Sequence, residues 1–197
     1  MIILIFHPRF HTFERYELEL FEPMPYTHSN ALTVSDFRGD SRTSVLWTTK
    51  PAMDFWMDLH KQFPYLTPLH AFSRIGEGRH VCFSKHYTGE AFDLPFPVNR
   101  DCESHESSYH IPVSSDPFPG ISHRSIDVHV LLLQDALMTA GFDCDALDGH
   151  WGDLTERALC AFCKAHRISY NGSLTHYLWK RLLYCAAGCG IKKYPHK

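Results

Sequence analysis

The chain has 197 residues, a hydrophobic fraction of 44% and a charged fraction of 21%. These are ordinary values for a globular protein, so we expect one medium domain or two small ones with buried cores. The formal net charge is −3 and no run of Lys and Arg exceeds two residues, which excludes a basic nucleic-acid-binding surface. No stretch approaches the roughly 20 apolar residues of a membrane span, and Met1–Phe6 is too short for a signal peptide. We therefore expect a soluble chain without a visible export signal.

Seven cysteines are present, and an odd number argues against a disulfide-stapled secreted domain. The spacing Cys160-x-x-Cys163 with Cys185-x-x-x-Cys189 is similar to that of a four-cysteine zinc site. Two of these cysteines fall inside a predicted helix, however, so we favour ordinary packing over metal binding there.

The first half of the chain mixes strand and helix patterns. Met1–Phe6 and Arg15–Phe21 are predicted strands, Pro23–Asp40 is predicted to be loop, and Tyr65–Phe72 is a possible strand weakened by a central proline. Thr49-Lys50-Pro51 is typical of a helix start. The apolar face predicted for that helix is best explained by core packing and consists of Ala52, Phe55, Trp56, Leu59 and Phe63.

Residues 95–119 differ in composition, with five Pro and five Ser, and we predict a linker there. Three helices are expected after it. Their predicted faces are Val130, Leu133 and Leu137; Leu154, Ala158, Phe162 and Ala165; and Leu178, Leu182 and Cys185. Asp153 with Glu156 indicates a capping box for the second helix. Ser173 or Thr175 would cap the third, and Gly188 would end it.

The helical half resembles the peptidoglycan-binding domain found beside many bacterial cell-wall hydrolases. The resemblance is carried by Leu133-Gln134, Asp148-Gly149-His150-Trp151-Gly152 with Thr155, Ala158 and Phe162, then Asn171-Gly172 with Trp179 and Leu182. It implies a three-helix module that binds peptidoglycan through residues such as Asp148, Trp151 and Trp179. The turn glycines allow a positive φ between helices, and Asp148 and Thr155 are suited to bond turn amides and cap a helix. The alternative roles are a structural turn for the Asp-Gly pair and core packing for Trp179.

The match has departures in its second repeat. Cys163 stands where the family has Gln, and Asn171 replaces an Asp. Thr175 and Leu178 replace a Gly and a Thr. These changes bear on glycan affinity more than on the fold.

The stretch Ser84–Asp93 resembles the Ser-x-His-x-x-Gly-x-Ala-x-Asp signature of zinc D-alanyl-D-alanine carboxypeptidases, and the similarity extends back to about Tyr16. The resemblance implies that His86 and Asp93 are zinc ligands and that Arg74 polarises the scissile carbonyl. Zinc accepts nitrogen and oxygen ligands and in catalytic sites keeps one position for water.

The late strand that carries the family's third ligand, a His, has no counterpart here. His110, His123 and His129 are candidates by residue type only. The peptidase-like half is therefore predicted to be truncated, and a non-catalytic domain whose His86 and Asp93 are remnants is the alternative. Such a domain would expose an unpaired sheet edge.

Together these patterns predict an incomplete α+β peptidase-like domain over residues 1–94, a linker over 95–119, and an all-α three-helix peptidoglycan-binding module over 120–187. The predicted function is that of a wall-hydrolase type protein that binds peptidoglycan, with a zinc-dependent peptidase in its first half acting on stem peptides. A purely wall-binding protein and a phage-derived lysis protein are the alternatives. The predicted location is the cell wall or outside the cell by function, and otherwise the cytoplasm.

Overall fold

The computed structural model describes residues 1–28, 30–77, 80–81, 83–95 and 118–188. The chain is a mixed α/β protein with one three-stranded sheet and five α-helices within these residues. The predicted linker falls almost entirely outside the described residues.

The sheet has the order β2-β1-β3. Strand β1 (Ile2–His7) pairs antiparallel with β2 (Thr12–Glu17) and parallel with β3 (Val45–Thr49). Residues 3–6 of β1 are all buried because this strand is central and packed on both faces. The strand predicted over Arg15–Phe21 begins earlier and ends at Glu17, although the predicted alternation of half-buried and exposed side chains continues beyond it.

Two helices flank β3. Helix α1 (Val34–Arg38) lies in the stretch predicted to be loop, and its capping box joins Thr33 and Asp36. Helix α2 (Lys50–Gln62) starts where predicted, with Thr49 as its N-cap. The predicted apolar face of α2 was wrong in part: Phe55 and Phe63 are exposed, and the buried residues are Ala52, Met53, Trp56 and His60. The possible strand over Tyr65–Phe72 is absent from the described structure, apart from an isolated bridge between His70 and Asp93.

The second half contains the three predicted helices, α3 (Val128–Thr139), α4 (Asp153–Ala165) and α5 (His176–Ala186). In α4 the predicted cap was wrong, because Gly152 is the N-cap and makes no side-chain cap bond. Glu156 instead accepts hydrogen bonds from Trp151 Nε1 and the Tyr170 hydroxyl, each at 2.8 Å. Leu154 and Ala165 of the predicted α4 face are exposed, and Thr155, Leu159 and Cys163 take part in the buried face. Thr175 caps α5 as one of the two predicted alternatives.

Helix α3 is buried on every side, and nine of its twelve residues are buried. Val128 and Leu131 pack in the core of the sheet, whereas Val130, Leu133 and Leu137 pack with α4 and α5. An additional contact joins the two halves at Gly149, where a Cβ would lie 2.2 Å from the Phe13 ring of β2. The helical half therefore packs directly on the sheet half through α3.

Candidate metal centre

Backbone pairing brings two segments of the loop region side by side. Leu69 N donates to the Asp93 carbonyl, and Asp93 N donates to the His70 carbonyl, both at 2.7 Å. Ser73 N donates to the His86 carbonyl at 3.2 Å. Residues 69–73 are thus aligned with residues 86–93, which places the His70 and His86 side chains next to each other.

A short 3₁₀ helix, Lys85–Thr88, carries His86 and is attached to β3. The Trp47 indole N–H donates to the Tyr87 carbonyl at 2.9 Å, and the Thr48 hydroxyl donates to the Gly89 carbonyl at 2.5 Å. Gly89 has φ +67°, and a Cβ there would lie 2.1 Å from the Trp47 carbonyl oxygen. The glycine of the signature is therefore required here both by conformation and by close approach to the strand.

Three imidazoles meet at this point. His70, His80 and His86 each offer a ligand nitrogen, and these atoms lie within 4.8 Å of one another. His80 Nε2 and His70 Nε2 are 2.9 Å apart, and the Tyr87 hydroxyl holds the backbone of His80 by donating to its carbonyl at 3.0 Å. The cluster could hold one metal ion, because three nitrogen ligands around one centre are common at protein metal sites.

The proton on His86 can be assigned from its partners. His86 Nδ1 lies 2.9 Å from the Ala71 carbonyl oxygen, which only accepts, so Nδ1 carries the hydrogen. In the neutral ring, Nε2 then presents a lone pair toward Asp93 Oδ1, 3.3 Å away. Two acceptors facing each other need a proton or a cation between them. A ring nitrogen that donates to a backbone carbonyl while the other stays available is the usual arrangement of a metal-binding histidine.

The protonation state of the cluster also favours a cation. Burial lowers the pKa of His70, with a further contribution from the neighbouring His86. Burial, and then His86 and His70, lower the pKa of His80 to about 4. These two imidazoles are therefore neutral at pH 7, the form in which histidine binds metals.

The structure brings together the two predicted metal ligands, His86 and Asp93. Asp93 lies at the surface, with its side chain 57% exposed. His70 and His80 were not predicted, because the resemblance implies a third ligand that follows Asp93 in the chain, whereas both of these residues precede it. The signal was present in the sequence, as His70 and His80 lie within the sixteen residues before His86.

Arg74 is engaged elsewhere in the described structure. Its Nε donates to Asp135 Oδ1 of α3 at 2.7 Å, its Nη2 contacts the same oxygen, and Ile75 N donates to Asp135 Oδ2 at 3.0 Å. Burial raises the pKa of the Asp135 carboxyl, and the Arg74 guanidinium opposes that effect. The carbonyl-polarising role of Arg74 stays a prediction, and its visible contact joins the two halves of the molecule.

The other predicted ligand candidates lie away from the cluster. His123 Nε2 is 3.4 Å from Asp153, and His129 Nδ1 is 2.7 Å from Asp127, the N-cap of α3. His110 lies outside the described residues, as does Cys189 of the four-cysteine spacing. Burial raises the pKa of the Cys163 thiol to about 11, which disfavours the thiolate that zinc binds.

The predicted glycan-binding residues have structural partners. Trp151 and Trp179 are fully buried, which agrees with core packing. Asp148 is exposed, and its Oδ1 accepts from His150 N at 2.9 Å and from Gln134 Nε2 at 2.8 Å. Thr155 accepts from Gln134 Nε2 at 3.1 Å and does not cap α4.

Comparison of the chain with protein-family models, with curated proteins and with solved structures gives no match. Among the described residues, the helices are all too short or too polar to cross a membrane.

Proposed function

We propose that this protein is a bacterial cell-wall protein of the wall-hydrolase type, with a zinc-dependent peptidase-like site in residues 1–94 that acts on stem peptides. The three-helix module would hold it on peptidoglycan, in the wall or outside the cell. The observation that carries the proposal is the convergence of His70, His80 and His86 beside Asp93, on the stretch that resembles the zinc carboxypeptidase signature.

Zinc is the metal that suits this donor set best. Imidazole nitrogens and one carboxylate are borderline ligands that zinc accepts in a tetrahedral arrangement, whereas magnesium and calcium prefer oxygen alone. A zinc ion here would supply a Lewis acid for an amide carbonyl and a water molecule.

The residues of the chain have separate tasks in this proposal. The Ala71 carbonyl orients the His86 ring through Nδ1, so that Nε2 points to the metal position. Ser73 Oγ lies 2.9 Å from His70 Nε2 and holds the second imidazole in place in the metal-free chain. Asp93, exposed beside His86, is either the fourth ligand or the group that accepts a proton from the attacking water.

The helical half supports the wall-binding part of the proposal by its fold. Three helices with Gly149 and Gly172 at positive φ in the turns are what the resemblance implies. Because Trp151 and Trp179 lie in the core, glycan contact would involve surface residues such as Asp148.

The metal part is tested on the purified full chain, after removal of metal and titration with zinc. We expect one zinc per chain, and we expect His86→Gln to lose at least about tenfold in zinc affinity. His129→Gln is the matched control, since it also belongs to a His–Asp pair but lies in α3. Equal zinc affinities of the two variants would contradict the proposed metal centre.

The enzyme and wall-binding parts need separate assays. Zinc-loaded protein is incubated with muropeptides, and co-sedimentation with purified peptidoglycan measures wall binding. Cleavage that His86→Gln abolishes supports the peptidase. Zinc binding and sedimentation without cleavage over hours would instead favour the non-catalytic wall-binding protein. If the protein does not sediment with peptidoglycan, the wall-binding proposal is wrong.

A further inference from the structure

The chain beside the histidine cluster is bonded to helix α3 of the helical half. Ser73 contacts two residues of the cluster, because its N–H donates to the His86 carbonyl at 3.2 Å and its Oγ lies 2.9 Å from His70 Nε2. The next residue, Arg74, donates from Nε to Asp135 Oδ1 of α3 at 2.7 Å. Asp135 is therefore connected to two of the three histidines through Ser73 and its neighbour.

The Asp135 carboxylate is fully buried. Its bonding partners among the described residues are adjacent in the chain: Oδ1 accepts from the Arg74 guanidinium, and Oδ2 accepts from Ile75 N at 3.0 Å. A buried carboxylate that loses its partners strongly destabilises a fold. Helix α3 therefore holds Arg74 and Ile75 in one arrangement.

Further contacts hold residues 73–76 against α3 and α5. The Ile75 side chain is buried in the core of the helical half. A Cβ on Gly76 would lie 2.7 Å from Thr139 Cγ2 of α3 and 3.3 Å from the Ala186 carbonyl oxygen of α5. The backbone at Gly76 thus approaches both helices as closely as a residue without a side chain allows.

The stretch that carries His80 and His86 rests on the same helices. Tyr87 is buried in the core of the helical half, and its hydroxyl donates to the His80 carbonyl at 3.0 Å. The Phe83 ring lies 5.8 Å from the Tyr184 ring of α5, measured between centroids. Both stretches of chain that form the cluster therefore depend on the helical half for their position.

We propose that Asp135 is a positioning residue of the candidate metal centre, through which the helical half sets the zinc affinity of the three histidines. This inference rests on the proposed function for the identity of the metal. The helical half is then part of the scaffold of the metal centre, in addition to any binding of the wall. Because coupling between two sites is reciprocal, zinc bound at the cluster also strengthens the contact between α3 and residues 73–76.

The first test is zinc titration of the metal-free full chain. We expect Asp135→Asn to bind zinc at least about tenfold more weakly than the wild type, as is typical when a group that orients metal ligands is changed. Gln134→Ala is the matched control, because Gln134 is also a buried polar residue of α3 but bonds to the Asp148-Gly149 turn. Its zinc affinity should equal that of the wild type. An unchanged affinity in Asp135→Asn, or an equal loss in Gln134→Ala, overturns the proposal.

A second set of variants keeps Asp135 in place and decides the question even if Asp135→Asn does not fold. Gly76→Ala would press on Thr139 and displace residues 73–76 from α3, so zinc binding should weaken. Adding Thr139→Ser, which removes the Cγ2 methyl and keeps the hydroxyl, should recover part of that loss. Gly172→Ala is the control, since Gly172 has the same φ of +87° and open space around the added Cβ. Wild-type affinity in Gly76→Ala, or no recovery with Thr139→Ser, contradicts the proposal.

Failure of the proposed function gives a different result. If the wild type binds no zinc, the metal centre is wrong, and the imidazole NMR signals of the metal-free chain then test the positioning role. Asp135→Asn should shift the signals of His70 and His86, whereas Gln134→Ala should leave them in place. Unshifted signals in Asp135→Asn overturn the positioning role of Asp135 whether or not zinc binds.

Discussion

The two polar clusters of this molecule differ in how completely their hydrogen bonds are made. The amide of Gln134 is buried in the helical half and uses both ends: Nε2 donates to Asp148, His150 and Thr155, and Oε1 accepts from the backbone of Asp148 and Gly149. In the histidine cluster, by contrast, the Nε2 lone pair of neutral His86 faces the Asp93 carboxylate. A saturated network stabilises a fold, whereas facing lone pairs indicate a place for a cation.

Two of the His–Asp pairs among the described residues repeat this contrast. In the helical half, Asp127 accepts from both the backbone N–H and the Nδ1 of His129, which completes the cap of α3. In the cluster, His86 donates its Nδ1 proton to a backbone carbonyl and leaves Nε2 toward Asp93. The same pair of residue types is thus structural in one place and available for a ligand in the other.

The largest effect on stability is expected at Asp135, whose carboxylate accepts from Arg74 and Ile75 and thereby joins the two halves of the molecule. Asp135→Ala would leave the charge of Arg74 and the N–H of Ile75 without a partner and should destabilise the protein by about 3–5 kcal/mol. The measurement is urea unfolding of the metal-free chain. The double variant Arg74→Met with Asp135→Leu is the control and should recover the part of the loss that comes from the unpaired Arg74 charge. A loss below about 1 kcal/mol for Asp135→Ala would show that this contact is not part of the scaffold.

The second effect concerns the Gln134 network. Gln134→Ala leaves two backbone N–H groups of the Asp148-Gly149 turn without acceptors, and we expect a loss of roughly 2–3 kcal/mol. Gln62→Ala, at the exposed end of α2, should change stability by less than about 0.5 kcal/mol. Similar values for the two variants would contradict the distinction between a saturated core network and surface amides.

The smallest effect is a pH dependence of the stability of the metal-free protein, which arises in the histidine cluster. The pKa of His80 is about 4 in the folded state, below the ordinary value near 6.5 in the unfolded chain. The unfolded state therefore binds more protons as the pH falls, so stability that is present above pH 6.5 is lost between about 6.5 and 4. We expect a loss of about 1 kcal/mol after allowance for solvent screening, because His80 is only half-buried.

Unfolding curves at several pH values across this window measure the effect. His80→Gln should flatten the profile, and His150→Gln, at an exposed position, should not. Saturating zinc should steepen the profile, since protons compete with the metal for the imidazoles. An identical profile for His80→Gln and the wild type would exclude His80 as its source.

Local patterns in the sequence were sufficient for several elements. The Thr-Lys-Pro start predicts α2, and the positions of Gly141 and Gly188 predict the ends of α3 and α5. The signature of small residues also places His86 and Asp93 together. These features depend on neighbours along the chain, where capping and glycine conformation decide the outcome.

The rest was decided by contacts between distant segments. The predicted one-sided face of α3 became burial on all sides, because the helix packs between the sheet and the other two helices. Phe55 and Leu154 fit an apolar periodicity but remain exposed, since no element among the described residues covers them. Helix α1 was missed because its five residues are stabilised by a capping box and by the burial of Val34 and Phe37 rather than by a long periodic pattern.

The sequence by itself therefore determined the helices of the second half and the pair His86 and Asp93. Only the tertiary structure added His70 and His80 and committed Arg74 to Asp135. The physical reason is that a metal centre and an ion pair depend on distances between atoms far apart in the chain. The backbone bridge between His70 and Asp93 sets those distances, and no local spacing specifies it.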